Sequence, residues 1–449
     1  MKKTLLVCLL LSNMLLVAQT NPAITSWLQN TTGLTGRHYV SGNSTPIVDA
    51  VAANVQTVQY SSNWVYVSTN GIPSYITGPF LDGNPSLATS QNAIFKVPLN
   101  PTQNTGTATA TAGGNIGLFI NGVALFDYRD GVSWKNSTSS LCGGPVQPPC
   151  MGDGKWNRDA VVAERIGFDC AKAHPAMGNY HHHQNPSAFD LDLVVISDRC
   201  TLYPSDGLYV INPTEHSPLI GFAYDGFPIY GAYAFANTDG TGGIVRMKSS
   251  YQLRNITTRS VWADGTDVLD GPAVSTTYPL GYFREDYEYV AHPSDPSYLD
   301  SHNGRFCITP EYPQGIYCYF ATVDANHNSA YPYVVGPTYY GVKSAVKVTT
   351  ISEPTTQYVL ATPDFNLSQL NIKLYPNPAQ DFIAVQTDMQ QNDLTLSLID
   401  ENGKLIKTSQ IVQGSTLGIL ELAQVSAGVY FVKVANTTDN KTFKVIINK

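Results

Sequence analysis

The residues best suited to chemistry lie in one short run, Tyr180 to His183, in a chain with nine histidines among 449 residues. Side chains alternate between the two faces of an extended strand. We therefore expect His181 and His183 on one face, with Tyr180 and His182 on the other. Two imidazoles on one face can bind the same ion at about 2.0–2.1 Å. The run predicts a site for a divalent transition metal, zinc or copper, held by His181 and His183.

A metal site needs further ligands from other parts of the fold. His302 lies in YLDSHNGRF and His327 in DANHNSAYPY, two polar loops rich in glycine and asparagine. Loops of this kind often carry functional residues, so we predict these two histidines as additional ligands. The other candidate ligands are imidazoles and carboxylates elsewhere in the chain: His174, His216, His292, Asp190, Asp192 and Asp225. The alternative is that the histidine run only hydrogen-bonds carbonyl groups or binds metal weakly at the surface.

Two residues are candidates for supporting the ligands. Asp225, in AYDGFPIYGAYAF, is placed to accept the outer N–H of a ligating histidine, a contact that such histidines usually make. The other interpretation is that Asp225 caps its own turn, because Asp-Gly is a turn signal. Tyr180, next to the first histidine of the run, is given the same supporting role.

Six cysteines follow the N-terminal segment, and an even number in an exported chain indicates disulfides. Short separations favour two pairs and leave a third by elimination: Cys142–Cys150, Cys307–Cys318 and Cys170–Cys200. The alternative for Cys170 is a metal thiolate, because it lies four residues before His174.

Composition and the N-terminus restrict the class of protein. The opening MKKTLLVCLLLSNMLLVAQT has two lysines and a short apolar stretch, so residues 1–18 are predicted to be a secretory signal peptide. The stretch is too short for a membrane span, and no other transmembrane segment is predicted. The formal net charge is −8 and no basic run occurs. Nucleic acid is therefore excluded as a partner, since its binding depends on clustered Lys and Arg.

Short alternating or apolar runs separated by Gly, Pro, Asn and Asp predict a mainly β fold. Residues 19–349 form a β-rich body, in which residues 21–110 are either a separate layer or part of the same domain. One segment, NRDAVVAERIGFDCAKA, has helical periodicity. Residues 350–369 are predicted as a linker. Residues 370–449 alternate strongly and include the turn Asn402-Gly403, which predicts a small Ig-like β-sandwich.

The C-terminal module carries LYPNPAQDFI, AGVYFVKV and a closing KTFKVIINK. It resembles the type A C-terminal sorting domain of type IX secretion over its whole length. The resemblance implies the type IX secretion machinery as a partner, and a protein that is secreted or attached to the outer cell surface. The alternative is an ordinary Ig-like accessory domain.

Four segments of the body, in order, resemble the YHYH-domain family of secreted bacterial proteins over about residues 90–345: NYHHHQNPSAFDLD, IGFAYDGFPIYGAY, YLDSHNGRFCITPEYPQGIYCYF and YPYVVGP. The name-giving tetrapeptide falls on Tyr180 to His183, and His182 stands where the family has its second tyrosine. The alternate pair His181 and His183 is kept. The resemblance implies no particular activity and supplies no catalytic residues.

Two functions remain open at this stage. The first is metal binding, and its catalytic form is a metal-dependent hydrolase, with a copper oxidoreductase less favoured. The motifs GxSxG, HExxH and the P-loop are missing from the chain. The second is a non-catalytic cell-surface binding or adhesion protein for a carbohydrate or protein ligand. It rests on the 27 tyrosines, whose faces suit such contacts.

Overall fold

The computed structural model describes residues 21–81, 87–144, 150–187, 199–205, 211–359, 372–387, 393–401, 403–436 and 440–449. The predicted signal peptide, residues 1–18, lies outside these ranges. The chain divides into two compact units, one ending at Tyr358 and the other beginning at Val359. About 41% of the chain is strand and 5% helix, which confirms the predicted mainly β fold.

The first unit contains 23 described strands. They are β1 (Thr35–Val40), β2 (Asn43–Ala52), β3 (Val55–Tyr60), β4 (Trp64–Thr69), β5 (Ile76–Thr77), β6 (Ala93–Pro98), β7 (Asn115–Phe119), β8 (Ala124–Phe126), β9 (Arg129–Lys135), β10 (Ser140–Gly143), β11 (Asn157–Asp159), β12 (Ala173–Ala176), β13 (Asn179–His182), β14 (Leu219–Ala223), β15 (Pro228–Tyr230), β16 (Tyr233–Phe235), β17 (Ile244–Arg246), β18 (Tyr251–Leu253), β19 (Tyr287–Tyr289), β20 (Gly304–Cys307), β21 (Ile316–Phe320), β22 (Val346–Val348) and β23 (Thr356–Tyr358).

An eight-stranded sheet is the centre of this unit, in the order β12-β13-β8-β7-β14-β15-β21-β20. It is mixed, because β13 runs parallel to β8 and β15 runs parallel to β21, while the other neighbours are antiparallel. A five-stranded sheet has the order β22-β6-β4-β3-β23. Smaller sheets have the orders β2-β1-β5, β10-β9-β11, β16-β17 and β18-β19.

The N-terminal segment belongs to the same body as the rest of the first unit. Trp27 is buried, and its ring centroid lies 5.3 Å from that of Phe222 in the eight-stranded sheet. Strand β6 pairs with β22, at the far end of the unit's sequence. One apolar cluster extends from Ala23 to Ala345. Residues 21–110 therefore share a core with the following residues.

Helices in the described part of the chain are short: α1 (Pro22–Thr25), α2 (Ala160–Ala163) and α3 (Arg199–Leu202). None of them has the length and apolar character that crossing a bilayer requires. The predicted helical segment contributes only α2 and a 3-10 turn at Arg165–Gly167, after which Phe168 is extended. Gly167 is a poor helix former, which helps to end helical structure at this point.

Two of the three predicted disulfides are present, Cys142–Cys150 and Cys170–Cys200. The bridge at Cys170 excludes its alternative role as a metal thiolate. The third prediction is wrong, because Cys307 and Cys318 are buried free thiols. In the ladder between β20 and β21, Cys307 lies opposite Ile316 and not opposite Cys318. The cysteines are thus diagonal neighbours, which are more widely spaced than directly opposed residues.

The predicted linker and the C-terminal module also have defined strands. Thr356–Tyr358 lies within the predicted linker, residues 350–369, but it forms a strand that pairs with β3 in the first unit. The second unit comprises β24 (Lys373–Tyr375), β25 (Phe382–Gln386), β26 (Leu394–Asp400), β27 (Leu405–Ile411), β28 (Leu417–Glu421), β29 (Gly428–Ala435) and β30 (Asn440–Ile447). Its sheets, β24-β25-β28 and β27-β26-β29-β30, enclose an apolar core, as predicted for a small sandwich.

Candidate metal centre

A tight hairpin presents two histidines side by side. Strand β12 pairs antiparallel with β13, and the register places His174 directly opposite His181. The strands are joined by Met177 and Gly178, whose φ angles are 49° and 82°. A two-residue turn with positive φ at both positions matches the twist of the flanking strands. The hairpin therefore fixes His174 and His181 as a cross-strand pair on one face of the sheet.

Four side chains converge at this face: Glu164, His174, His181 and His183. Their donor atoms all lie within 4.8 Å of one another. The Nε2 atoms of His181 and His183 are 3.0 Å apart. Glu164 Oε2 lies 2.9 Å from His174 Nε2 and 3.2 Å from His183 Nε2. Ligands at 2.0–2.1 Å around a tetrahedral ion stand about 3.3 Å from one another, so these separations suit a single ion.

Hydrogen bonds on the far side of two rings fix the direction of the lone pairs. His181 Nδ1 lies 2.9 Å from the Asn179 carbonyl oxygen, and His183 Nδ1 lies 2.7 Å from that of Asp127. A carbonyl only accepts, so each Nδ1 donates, and Nε2 of the neutral ring keeps its lone pair. The two Nε2 atoms and an oxygen of Glu164 therefore face one another, so that either a shared proton or a bound metal ion makes their contacts favourable.

Glu164 reaches the cluster from the residue that follows α2. Asp159 caps the start of this helix by accepting hydrogen bonds from N–H groups of its first turn. Burial raises the pKa of Glu164, but hydrogen bonds with His174 and His183 outweigh it and hold the pKa well below its usual value. Glu164 is therefore ionised and offers a carboxylate oxygen to a cation.

Aromatic rings pack against the imidazoles of the cluster. Phe126 stacks on His181 with ring centroids 3.8 Å apart, and Phe168 meets His174 edge-on at 5.0 Å. Burial, together with the nearby imidazoles of His183 and His174, lowers the pKa of His181 well below its ordinary value. A neutral imidazole is the form that binds metal.

The cluster opens on a cavity of about 1170 Å³. Asp130 and Arg158 line the same cavity and form an ion pair. Burial and the negative charge of Glu164 raise the pKa of Asp130. A cation held by the cluster would therefore lie at the wall of a space large enough for a small ligand.

The opposite face of β13 is closed. His182 is fully buried, its Nε2 lies 2.7 Å from the hydroxyl of Tyr75, and burial lowers its pKa to about 3. Tyr180 is also buried on this side and donates to Asp169 Oδ2 at 2.8 Å. Tyr180 thus contacts Asp169 instead of the outer nitrogen of a ligand, which corrects its predicted role. The alternation of the run between two faces is as expected.

The two loop histidines predicted as further ligands lie outside the cluster. His302 Nδ1 is 2.8 Å from Thr338 Oγ1, and His327 Nε2 is 2.8 Å from the hydroxyl of Tyr233. Their loops adjoin β20 and β21, at the opposite edge of the eight-stranded sheet from β12 and β13. The structure therefore does not bring His302 and His327 to His181 and His183, and it brings Glu164 and His174 there instead.

Asp225 has the second of its two proposed roles. It is fully buried and accepts hydrogen bonds from Phe227 N at 3.3 Å, Gly341 N at 2.8 Å and Tyr319 OH at 2.5 Å. Burial raises its pKa to about 6. Asp225 therefore closes its own turn and joins distant segments, and these bonds do not involve a ligating histidine.

The remaining candidate ligands are elsewhere or outside the described residues. His216 Nδ1 lies 2.8 Å from the carbonyl oxygen of Ser217, and His292 stacks on Tyr298 with centroids 3.8 Å apart. Asp190 and Asp192 fall in a range that is not described.

Two residues of the cluster, His174 and Glu164, are not among the ligands that the sequence favours. His174 and His181 are equally distant from the pair Met177-Gly178, so a turn assigned there would have placed the two histidines opposite each other. Met-Gly is not a typical hairpin sequence, which hid this signal. Glu164 approaches through tertiary contact, and no spacing in the chain points to it.

Comparison with known proteins gives two matches. Residues 94–333 match the family described as YHYH protein, and residues 373–448 match the family described as secretion system C-terminal sorting domain. No curated protein matches the chain. The second match confirms the predicted sorting module and implies handling by the type IX secretion machinery. The protein is secreted or attached to the outer cell surface.

Proposed function

This chain belongs to the YHYH protein family, and we propose that the domain that defines the family binds one divalent transition metal ion here. The ligands are a carboxylate oxygen of Glu164 and the Nε2 atoms of His174, His181 and His183. Three imidazoles and a carboxylate suit zinc and copper, the two metals expected from the sequence, as well as nickel and iron.

The observation that carries the proposal is the mutual orientation of two rings. The Nε2 atoms of His181 and His183 face each other at 3.0 Å, while each Nδ1 donates to a backbone carbonyl. With no proton on either Nε2, the two lone pairs repel each other, whereas a proton on Nε2 of His183 allows a hydrogen bond to Glu164. A metal ion in place of that proton makes all of these contacts favourable.

The cavity beside the cluster supports a catalytic form of the proposal, a metal-dependent hydrolase. Zinc held by three of the four donors would keep a fourth position for a bound water whose pKa is about 7, and it would supply Lewis-acid polarisation of a substrate. The chain's own contribution is to orient the rings of His181 and His183 through their Nδ1 hydrogen bonds and to pack Phe126 and Phe168 against the imidazoles. A copper oxidoreductase is the less favoured alternative.

Metal content is the direct test of binding. Protein purified without added metal is analysed by plasma mass spectrometry, then stripped and titrated separately with Zn²⁺ and Cu²⁺ against a chromophoric chelator. We expect about one equivalent bound by the wild type, and less than about a tenth by the His181→Ala/His183→Ala double variant.

A matched control removes two histidines outside the cluster. The His302→Ala/His327→Ala double variant loses two side chains of the same type and should still bind about one equivalent of metal. Circular dichroism checks that each variant is folded, and Glu164→Gln, which keeps the shape of the side chain, should weaken binding without unfolding. Equal metal content in the two double variants, or a wild type that binds neither ion, would contradict the proposal.

Hydrolysis is tested separately from binding. The zinc-loaded wild type and the His181→Ala/His183→Ala variant are compared on p-nitrophenyl acetate and bis-p-nitrophenyl phosphate. A rate that depends on both the metal and the two histidines supports a hydrolase. If the metal-loaded protein is no faster than the variant, the proposed metal binding stands and the proposed hydrolase activity is rejected.

A further inference from the structure

A second cavity lies on the other side of the segment that follows Asp159. Its volume is about 640 Å³, within the range of about 300–1,000 Å³ typical of small-ligand sites. Val162 and Arg165 line this cavity, whereas Glu164, between them in sequence, lines the cavity of the metal cluster. The helix α2 and its 3-10 turn therefore separate two concave sites with different walls.

One wall of the second cavity is built from tyrosines: Tyr251, Tyr287, Tyr298, Tyr331 and Tyr333. Tyr287 and Tyr331 stack in parallel, with ring centroids 4.0 Å apart and planes 1° apart. The hydroxyl of Tyr251 donates to the carbonyl oxygen of Ser301 at 2.8 Å. These contacts fix the rings before any ligand binds, so flat apolar faces are presented at little entropic cost.

The charged side chains of the lining are mostly cations. Arg165, Arg246 and Lys248 line the cavity together with one carboxylate, Asp324, so three positive charges less one negative leave +2. The carboxylate is turned into its own loop, where it accepts hydrogen bonds from the backbone N–H groups of Asn326 and Asn328. A local positive charge in a chain of net charge −8 favours an anionic ligand.

Lys248 is held at the edge of the tyrosine wall. Its Nζ lies 4.8 Å from the ring centroid of Tyr298 and 3.2 Å from a carboxylate oxygen of Asp295. Asp295 is 43% exposed and does not line the cavity, so its pairing with the lysine is screened by water. The ammonium group therefore stands beside an aromatic face, where it can bind an anion.

Uncharged hydrogen-bonding groups complete the lining: Gln184, Ser249, Gln252, Asn328 and Ser329. The hydroxyl oxygen of Ser329 is buried and has no hydrogen-bond partner among the described residues. A buried hydroxyl without a partner is costly, and rotation of the Ser329 side chain toward a ligand hydroxyl would satisfy it.

We propose that this cavity binds an acidic oligosaccharide, such as one that contains uronic acid or sulfated residues. Tyrosine faces match the apolar faces of sugar rings, the amides and hydroxyls match sugar hydroxyls, and the cations match the acid groups. Aromatic and cationic groups would also suit a nucleotide, which is the competing ligand. The protein acts outside the cell or at its surface, where acidic polysaccharides are abundant, and this favours the saccharide. The site is independent of the proposed metal centre.

Titration calorimetry on the full-length exported protein tests the proposal. The probes are trigalacturonate and a chondroitin sulfate tetrasaccharide, with galactotriose as the neutral comparison and AMP as the nucleotide. We expect at least one acidic probe to bind, with affinity that falls as salt is raised and exceeds that for galactotriose by about tenfold or more. Lys248→Gln should lower this affinity by about fivefold to tenfold.

Lys96→Gln is the matched control. Lys96 also lies over an aromatic ring, 4.1 Å from the centroid of Trp64, but it is not part of the cavity. This variant should bind the acidic probe as the wild type does, and so should the His181→Ala/His183→Ala variant, whose metal loss then leaves saccharide binding intact. The proposal is overturned when neither acidic probe binds, when galactotriose binds equally well, when AMP alone binds, or when the two lysine variants behave alike.

Discussion

The two faces of β13 place the same residue type in opposite situations. On one face, His181 and His183 turn their Nε2 atoms toward each other and toward a carboxylate. On the other, the Nε2 atom of His182 meets the hydroxyl of Tyr75, which can donate to it. The first face sets acceptors against one another unless a proton or a metal ion lies between them. On the second, Nε2 of His182 has a partner, whereas its Nδ1 has none among the described residues. The two faces therefore differ in what lies opposite Nε2, which is another acceptor on one face and a hydroxyl that can donate on the other.

Metal affinity is the most direct test of the difference between the two faces. His183→Ala removes a donor atom and should weaken metal binding by about 1,000-fold, or about 4 kcal/mol. His182→Ala removes the adjacent imidazole and should change the affinity by less than about threefold, because this ring points into the core. Competition with a chromophoric chelator measures both. Equal losses in the two variants would mean that the faces do not differ as described.

The folding stability of the protein should depend on pH through Asp169, which accepts a hydrogen bond from the Tyr180 hydroxyl on the closed face. Burial raises the pKa of Asp169 from 3.8 to about 6, so the folded chain holds a proton that the unfolded chain releases between these values. This contribution to stability is complete below pH 4 and is lost as the pH rises through 6. Its size is up to about 3 kcal/mol.

Asp169→Asn isolates that contribution, because the amide does not titrate. Urea unfolding of the wild type and the variant from pH 4.5 to 7 should show a steeper loss of stability in the wild type. The slope is the relevant quantity, since the amide also faces the N–H group of Gly78, a donor, and lowers stability at every pH. Parallel slopes would argue against a protonated Asp169 in the folded protein.

Without metal, truncation on the two faces should cost different amounts of stability. His182→Ala leaves a cavity in the core and should lower the free energy of unfolding by about 2–3 kcal/mol. His183→Ala also leaves a cavity and removes the hydrogen bond to the Asp127 carbonyl, but it relieves the crowding of the two Nε2 atoms, so its cost should be smaller, about 1–2 kcal/mol. Urea unfolding in the presence of a chelator measures both. A larger loss in His183→Ala would contradict the idea of an unsatisfied face.

The smallest effect is expected at the turn that serves both faces. Met177 is 96% exposed and has a φ of 49°, which is unfavourable for a residue with a side chain. Met177→Gly should raise stability by about 0.5–1 kcal/mol, measured by thermal unfolding, and leave metal affinity within about twofold. A large change in affinity would show that the turn, and not only the register, positions the ligands.

Local patterns in the sequence predict part of this arrangement. The alternation of His181 and His182 depends on neighbouring residues alone, and the C-terminal strands alternate so regularly that the sandwich follows from them. Glu164 and the pairing of His174 depend on how distant strands are ordered in a mixed sheet, which no local period encodes. The same limit explains His302 and His327, whose loops look suitable but lie at the other edge of the sheet.

Register explains the error in the cysteines as well. Ten residues lie between Cys307 and Cys318, a distance in sequence that permits a bridge across a hairpin. The loop between β20 and β21 instead sets Cys307 opposite Ile316. The sequence identifies the hairpin, but the length of its turn decides which residues face each other.

The bridge between Cys170 and Cys200 connects the proposed metal site to the export of the protein. Cys170 lies in the turn that leads directly into β12, the strand that carries His174, and it ties this turn to α3. Thiols stay reduced in the cytosol and pair after export. The bridge therefore adds to the pairing of β12 with β13 only once the chain has left the cytoplasm. Under the proposed function, the metal site gains this covalent constraint outside the cytoplasm.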